Sequence, residues 1–203
     1  VTGIVMATYL EAAPFVRGLN LRRSGKKPFR VYDGEHYRLI LSGIGKANAA
    51  MATAVLALDG DVDTVINAGA AGALRDGFAL GDIRVIDRVV EGDRPRLRDG
   101  GPRIVTPDPV EGHAGATLIT HDRPILKPAD RARAAAVADL ADMEGAAVVQ
   151  ACRTFGLRCH LVKIVTDTPE HSTSVHIIFN IRRTRRGLYE YCRTAFFAPG
   201  IIT

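Results

Sequence analysis

Tryptophan is absent from this chain, and aromatic residues make up only 6% of its 203 residues. Proteins that bind single-stranded nucleic acid stack bases on aromatic platforms set among basic groups, so that function class loses its main support. Cysteine is scarce as well. Cys152, Cys159 and Cys192 are odd in number and form no C-x-x-C pair, which indicates neither a disulfide framework nor a zinc ribbon. No apolar stretch approaches the roughly 18 uninterrupted residues of a membrane helix. The start of the chain, residues 1–15, carries Glu11 and has neither a basic leader nor a small-residue cleavage site. Secretion and membrane insertion are therefore not expected, and a reducing cytoplasm fits best.

What is present is an ordinary globular balance, 47% hydrophobic and 24% charged. At this length one domain spanning 1–203 is the default, able to build a core without disulfide or metal staples. The net charge is +5, with basic groups at Arg22, Arg23, Lys26 and Lys27, at Arg94, Arg96, Arg98 and Arg103, and at Arg182, Arg183, Arg185 and Arg186. Charge runs of this kind are usually solvated faces, and no nucleic-acid partner is expected.

Along the chain, apolar runs alternate with helical periodicity. Residues 2–7 read as a buried strand, and 10–19 as a helix with Pro14 in its first turn, where a missing N–H does no harm. Residues 30–32 and 37–42 read as strands joined through a tight turn at Asp33-Gly34. A buried alanine-rich helix follows at 46–58, then strands at 63–68 and 83–90. Residues 91–115 are dense in Gly, Pro, Arg and Asp, which reads as a long surface loop or flap outside the core. Then come a strand at 116–120, helical stretches at 128–140 and 143–155, an apolar strand at 158–166, and a last helix at 175–196 with arginines on its outer face. This order predicts the α/β class, a single domain with a central mixed twisted sheet flanked by helices.

In such sheets ligands gather where strands end and helices begin. Four stretches qualify, at 7–11, 42–48, 67–72 and 166–170, and a fifth, 142–146, places Asp142 and Glu144 at the positive end of a helix. His171 and His176, five apart, do not share a helix face as metal ligands would. Gly43 and Gly45 before Lys46 lack the spacing of an ATP-binding loop.

These stretches suggest a family. SGIGKANAA at 42–50, VINAGAAGA at 65–73 running on to LGDI at 80–83, Met143-Glu144-Gly145-Ala146, and KIVTD at 163–167 occur in that order. Together they resemble the purine nucleoside and uridine phosphorylase superfamily, and within it are most similar to the methylthioadenosine/S-adenosylhomocysteine nucleosidases. The resemblance implies a nucleoside phosphorylase-like fold and cleavage of the bond between ribose C1′ and a base, on a purine nucleoside or a 5′-modified relative. It implies Asp167 as the acid at purine N7 and Glu11 as the group that orients and deprotonates water. It also implies Glu144 as acceptor of the ribose hydroxyls, Met143 against the sugar, and Gly69, Ala70, Ile125 and Thr166 around the substrate. A homo-oligomer, first a dimer, is implied as well. That chemistry calls for no cofactor and no metal.

From the residues alone, plainer readings stay open. Glu11 reads as a solvent-facing or dipole-pairing residue, Asp167 before Thr168-Pro169 as a turn or cap, and Met143 as core filler. Cys152 and Cys159 read as buried small hydrophobes. Asn67 and Ala70 stand where the resembled phosphorylases carry an arginine and a hydroxyl residue, which argues for water over phosphate as the nucleophile. Arg88 or Arg94 could supply a substitute cation, so a phosphorylase is the alternative, and a catalytically weak nucleoside-binding protein a second. Departures from the resembled pattern include Pro124 and Ile125 at the base, Lys163 in place of an arginine, and a contracted 91–115 segment.

Overall fold

The computed structural model describes residues 1–25, 28–113, 115–169 and 174–197. In chain order its elements are β1 (Thr2–Met6), α1 (Tyr9–Gly18), β2 (Arg22–Gly25), β3 (Arg30–Asp33), β4 (Tyr37–Leu41), α2 (Lys46–Leu58), β5 (Thr64–Ala73), β6 (Ile83–Glu91), β7 (Arg103–Val105), β8 (Gly115–Thr120), α3 (Pro128–Ala135), β9 (Leu140–Asp142), α4 (Gly145–Phe155), β10 (Arg158–Asp167) and α5 (Ser174–Ala195). The expected α/β class and mixed sheet are both found.

The most apolar runs become the central strands β1, β5 and β10, parallel to one another and covered on both faces. Side chains alternate between two cores, as the pleat requires. Val5, Val65, Leu161 and Val165 face α2 and α4, while Ile4, Met6, Ile66, Val162 and Ile164 face α1 and α5. On the second face an aromatic group closes the packing. Phe15 meets the edge of Tyr189 with ring centroids 5.4 Å apart, and a Cβ added at Gly18 would stand 2.2 Å from Tyr189 Cζ.

The sheet is not simply open. β5, β10, β6, β8 and β9 pair in a ring that closes on β5, while β1, β4, β3 and β2 extend outward from it. β5 therefore changes neighbours along its length. It pairs with β1 as far as Asn67 and with β9 from Gly72 onward. Between those points one edge of β5 faces no strand among the described residues.

Several expectations change. β5 runs through the glycine stretch to Ala73 instead of stopping at 68. Residues 91–115 are not all loop: β7 returns antiparallel to β6, and Asp108 accepts the Cys159 N–H at 2.7 Å. The helical stretch 128–140 ends at Ala135, and Leu140 begins β9, while α4 starts at Gly145 with Met143 ahead of it. β2 carries no apolar signal and was not expected. Pro14 lies inside α1, not in its first turn, so the Leu10 carbonyl loses its helical N–H donor. Arg185 of α5 donates to that carbonyl instead, at 2.8 Å. Asp33 ends β3 and Gly34 opens a three-residue connection in which its N–H reaches the Tyr37 carbonyl at 2.9 Å. Cys152 and Cys159 are buried as expected. Lys26, Lys27 and His171 lie outside the described residues. No helix among those residues is long and apolar enough to cross a membrane.

Candidate active site

The uncovered edge of β5 is where the carboxylates gather. Thr8 caps α1, its hydroxyl accepting the Glu11 N–H, while Glu11 Oε2 accepts the Thr8 N–H at 3.1 Å and the Thr8 hydroxyl at 2.7 Å. The other oxygen, Oε1, accepts the Ala70 N–H at 2.9 Å. That amide is free to donate because neither β1 nor β9 reaches it. A Cβ on Gly69 would stand 3.2 Å from Glu11 Oε1, so the glycine leaves room for the carboxylate. Glu11 is thus buried, and the solvent-facing reading fails.

Glu144 stands at the N-terminal boundary of α4. Its Oε1 accepts the Gly45 N–H at 2.9 Å. Gly45 has φ 101°, a conformation open to glycine, which turns this amide inward at the start of α2. Burial, reinforced by the charge of Asp142 and opposed by that of Lys163, pushes the Glu144 carboxyl up to about 7. Below it lies a buried ion pair. Lys163 Nζ sits 2.8 Å from Asp142 Oδ2 and donates to Asn67 Oδ1 at 2.7 Å. Asp142 also accepts the Thr120 hydroxyl at 2.6 Å and the Gly145 N–H at 2.8 Å, so the pair has the hydrogen bonds a buried pair needs.

Asp167 ends β10 at a register shift against β5. A Cβ on Gly72 would stand 2.6 Å from its Oδ2, so only a glycine there permits this approach. Burial raises the Asp167 carboxyl, and Arg131 of α3 pulls against that rise. Arg131 Nη2 donates to Asp167 Oδ2, and its Nη1 donates to the Ala73 carbonyl at 2.6 Å.

Glu11, Glu144 and Asp167 line one cavity. Met143, Ala70, Ile125 and Thr166 line it too, whereas Gly69 does not and acts only through the room it gives Glu11. Pro124 forms part of the wall, and Ile44, Ile177 and Ile181 make its rim apolar. Arg88 and Arg94 are elsewhere. The cationic side chain that does line the cavity, the only one among the described residues, is Arg131. Sequence reasoning missed it, along with the two α5 isoleucines. The local pattern does not mark it: Ala134 is buried beside it, but α3 ends at Ala135 and Arg133, two positions on, is exposed. Three carboxyl groups in unlike surroundings around one cavity can donate a proton, accept a proton and accept hydroxyl hydrogen bonds.

Comparison with known proteins bears on the family and the fold. The curated 5′-methylthioadenosine/S-adenosylhomocysteine nucleosidase of Listeria innocua is 43% identical over 60 residues, 30% of this chain, and the chain spans only 26% of that relative's length. The nucleosidase of the same name from Marinomonas sp. is 29% identical over 161 residues, 67% of this chain and 70% of the relative. In fold, the chain is similar to the apo 5′-methylthioadenosine nucleosidase of Arabidopsis thaliana, with a TM-score of 0.87 at 22% identity, covering 98% of this chain and 96% of that one. It is also similar to the Helicobacter pylori 5′-methylthioadenosine/S-adenosylhomocysteine nucleosidase bound to butyl-thio-DADMe-Immucillin-A, with a TM-score of 0.84 at 16% identity and 96% of each chain covered. The pattern of one family matches residues 2–121 and 114–187, nearly the whole described chain, and by that match the chain belongs to the phosphorylase superfamily.

Proposed function

We propose that this chain is a nucleosidase that hydrolyses the N-glycosidic bond of a purine nucleoside with a modified 5′ position. One observation carries the reading: Glu11, Glu144 and Asp167, far apart in sequence, face one cavity. As the bond from C1′ to the base breaks, its electron pair leaves with the ring, and the Asp167 carboxyl gives its proton to N7. The sugar becomes cationic, and Glu144 accepts hydrogen bonds from the 2′- and 3′-hydroxyls while its charge steadies that cation. A water attacks C1′ and passes a proton to the Glu11 carboxylate. Met143 packs on the sugar, Ile125 and Thr166 border the base, and Ala70 fixes Glu11 through its amide. The apolar rim of Ile44, Ile177 and Ile181 suits an apolar 5′ substituent.

Water is favoured over phosphate by charge. A phosphate dianion needs cationic or hydroxyl donors near C1′. Arg131 stands at the opposite, base end, already paired with Asp167, and Asn67 is engaged by Lys163. The test is base release from a nucleoside panel, followed by ultraviolet absorbance with and without phosphate. Phosphate-independent release is the expected result. Release only with phosphate makes the chain a phosphorylase, and tight binding without release makes it a binding protein. A cytoplasmic homodimer completes the reading, checked by sedimentation of the purified chain.

A further inference from the structure

β10 slips against β5 as it ends. Val165 stands opposite Ala71 and Asp167 opposite Gly72, so Thr166 between them has no opposite residue. A slip of this kind re-aims a side chain, here the Asp167 carboxyl. It also takes the buried Thr166 carbonyl, one half of the peptide that carries Asp167, out of the β5 register, and a buried carbonyl needs a donor. A side chain supplies it. Nδ2 of Asn180, on α5, donates to that carbonyl at 2.8 Å. Asparagine is a poor choice for this place on other grounds. It is a weak former in the interior of a long helix, and its amide is costly to bury, with Asn180 only 7% exposed. What the position gains is a grip on the strand end.

The same turn of helix borders the cavity. Positions 177, 180 and 181, three and four apart, fall on one face, where Ile177 and Ile181 line the cavity and Asn180 meets β10. The opposite face, with Ile178, Phe179, Arg182 and Arg183, is exposed, so the packing of this turn comes from its inner side. An apolar 5′ substituent seated against Ile177 and Ile181 adds contacts there and steadies the turn, and with it the Asn180 amide and the Thr166 carbonyl. An acid misplaced by about 1 Å can lose on the order of 10²-fold in rate. Binding energy from the sugar's 5′ end is thereby used to aim the proton donor.

We infer that Asn180 is a positioning residue that holds the peptide of Asp167 and links the aim of this acid to occupancy of the cavity's 5′ end. The inference rests on the nucleosidase reading and adds how the 5′ substituent acts on the rate.

The probes are the 5′-methylthio and 5′-deoxy nucleosides of the base that the panel above releases, adenine first, which differ only in the methylthio group. Single-turnover base release with enzyme in excess gives a saturated rate and a half-saturating concentration for each. In the wild type the saturated rate should be about 10- to 100-fold higher for the methylthio nucleoside. In Asn180→Leu that ratio should collapse to within about threefold, through loss on the methylthio nucleoside, with half-saturation moved by less than about threefold. Asn180→Asp, of the same shape but with no N–H to give when ionised, should show the same collapse, so one poorly folded variant does not decide the matter. Equal saturated rates in the wild type overturn the inference without any variant. A wild-type ratio retained in both variants, whether they slow both nucleosides by one factor or neither, overturns it too and leaves the nucleosidase reading standing. A panel from which no base is released overturns both.

Discussion

The two ends of the cavity use the same functional group and surround it differently. At the proposed sugar end, Glu11 is held by neutral donors, the Thr8 and Ala70 amides and the Thr8 hydroxyl. They set its direction without a counter-charge. Glu144 likewise takes a backbone amide, and the cation below it is engaged by Asp142. At the proposed base end, Asp167 faces a guanidinium directly. A carboxyl that must give up a proton gains from a neighbour that stabilises the anion left behind. One that must collect a proton gains from orientation alone. The contrast supports the proposed roles, which residue type by itself does not separate.

The sharpest way to break this contrast is to neutralise one end at a time. Asp167→Asn should reduce base release about 10³-fold while nucleoside binding survives, measured by turnover and equilibrium titration. Glu11→Gln should slow release by a similar factor, and unchanged turnover would place water activation elsewhere.

Glu144 offers the next largest effect, with a signature in pH. Its carboxyl must be ionised to accept hydroxyl hydrogens, so kcat/KM should climb about tenfold per pH unit to a plateau above about 7. Stability moves the other way. Against an ordinary 4.5, a folded value of about 7 means that the folded chain keeps a proton the unfolded chain releases. This group's favourable contribution is full below pH 4.5 and is lost as pH rises through 7. Glu144→Gln should therefore lose activity and the rising limb, yet gain up to about 3 kcal/mol of stability at pH 8 in urea melts. A variant no more stable than the parent would refute the burial cost assigned to this carboxylate.

Two glycines sharpen the comparison more gently. Gly72→Ala should displace the Asp167 carboxyl and cost about 10²-fold in turnover, with less effect on KM. Gly18→Ala lies far from the chemistry, against Tyr189, and should cost about 1–3 kcal/mol of stability while kcat and KM hold.

The long apolar runs were legible because central parallel strands must be apolar on both faces, and β1, β5 and β10 fall where 2–7, 63–68 and 158–166 were read. Short strands were not. β7 and β9 span three residues each and exist through pairing with β6, β8 and β5, which no local pattern records. Pro14 misled for a related reason, since a distant arginine compensates it. At the site, Glu11, Glu144 and Asp167 were readable through the order of the glycine-rich stretches, because those stretches are the strand ends that bring them together. Arg131 was hidden by its neighbours. In DRARAAA, Arg133 is exposed and Arg131 is buried, and which one turns inward depends on where β9 and β10 lie.

The bond from Arg185 to Leu10 turns a local flaw in one helix into a brace across 175 positions of sequence. Leu10 immediately precedes Glu11, the proposed partner of the attacking water, so the closing helix steadies the opening one at the turn that carries this carboxylate. Loosening that far-off clasp should first blur the aim of the Glu11 carboxylate, well before the core gives way.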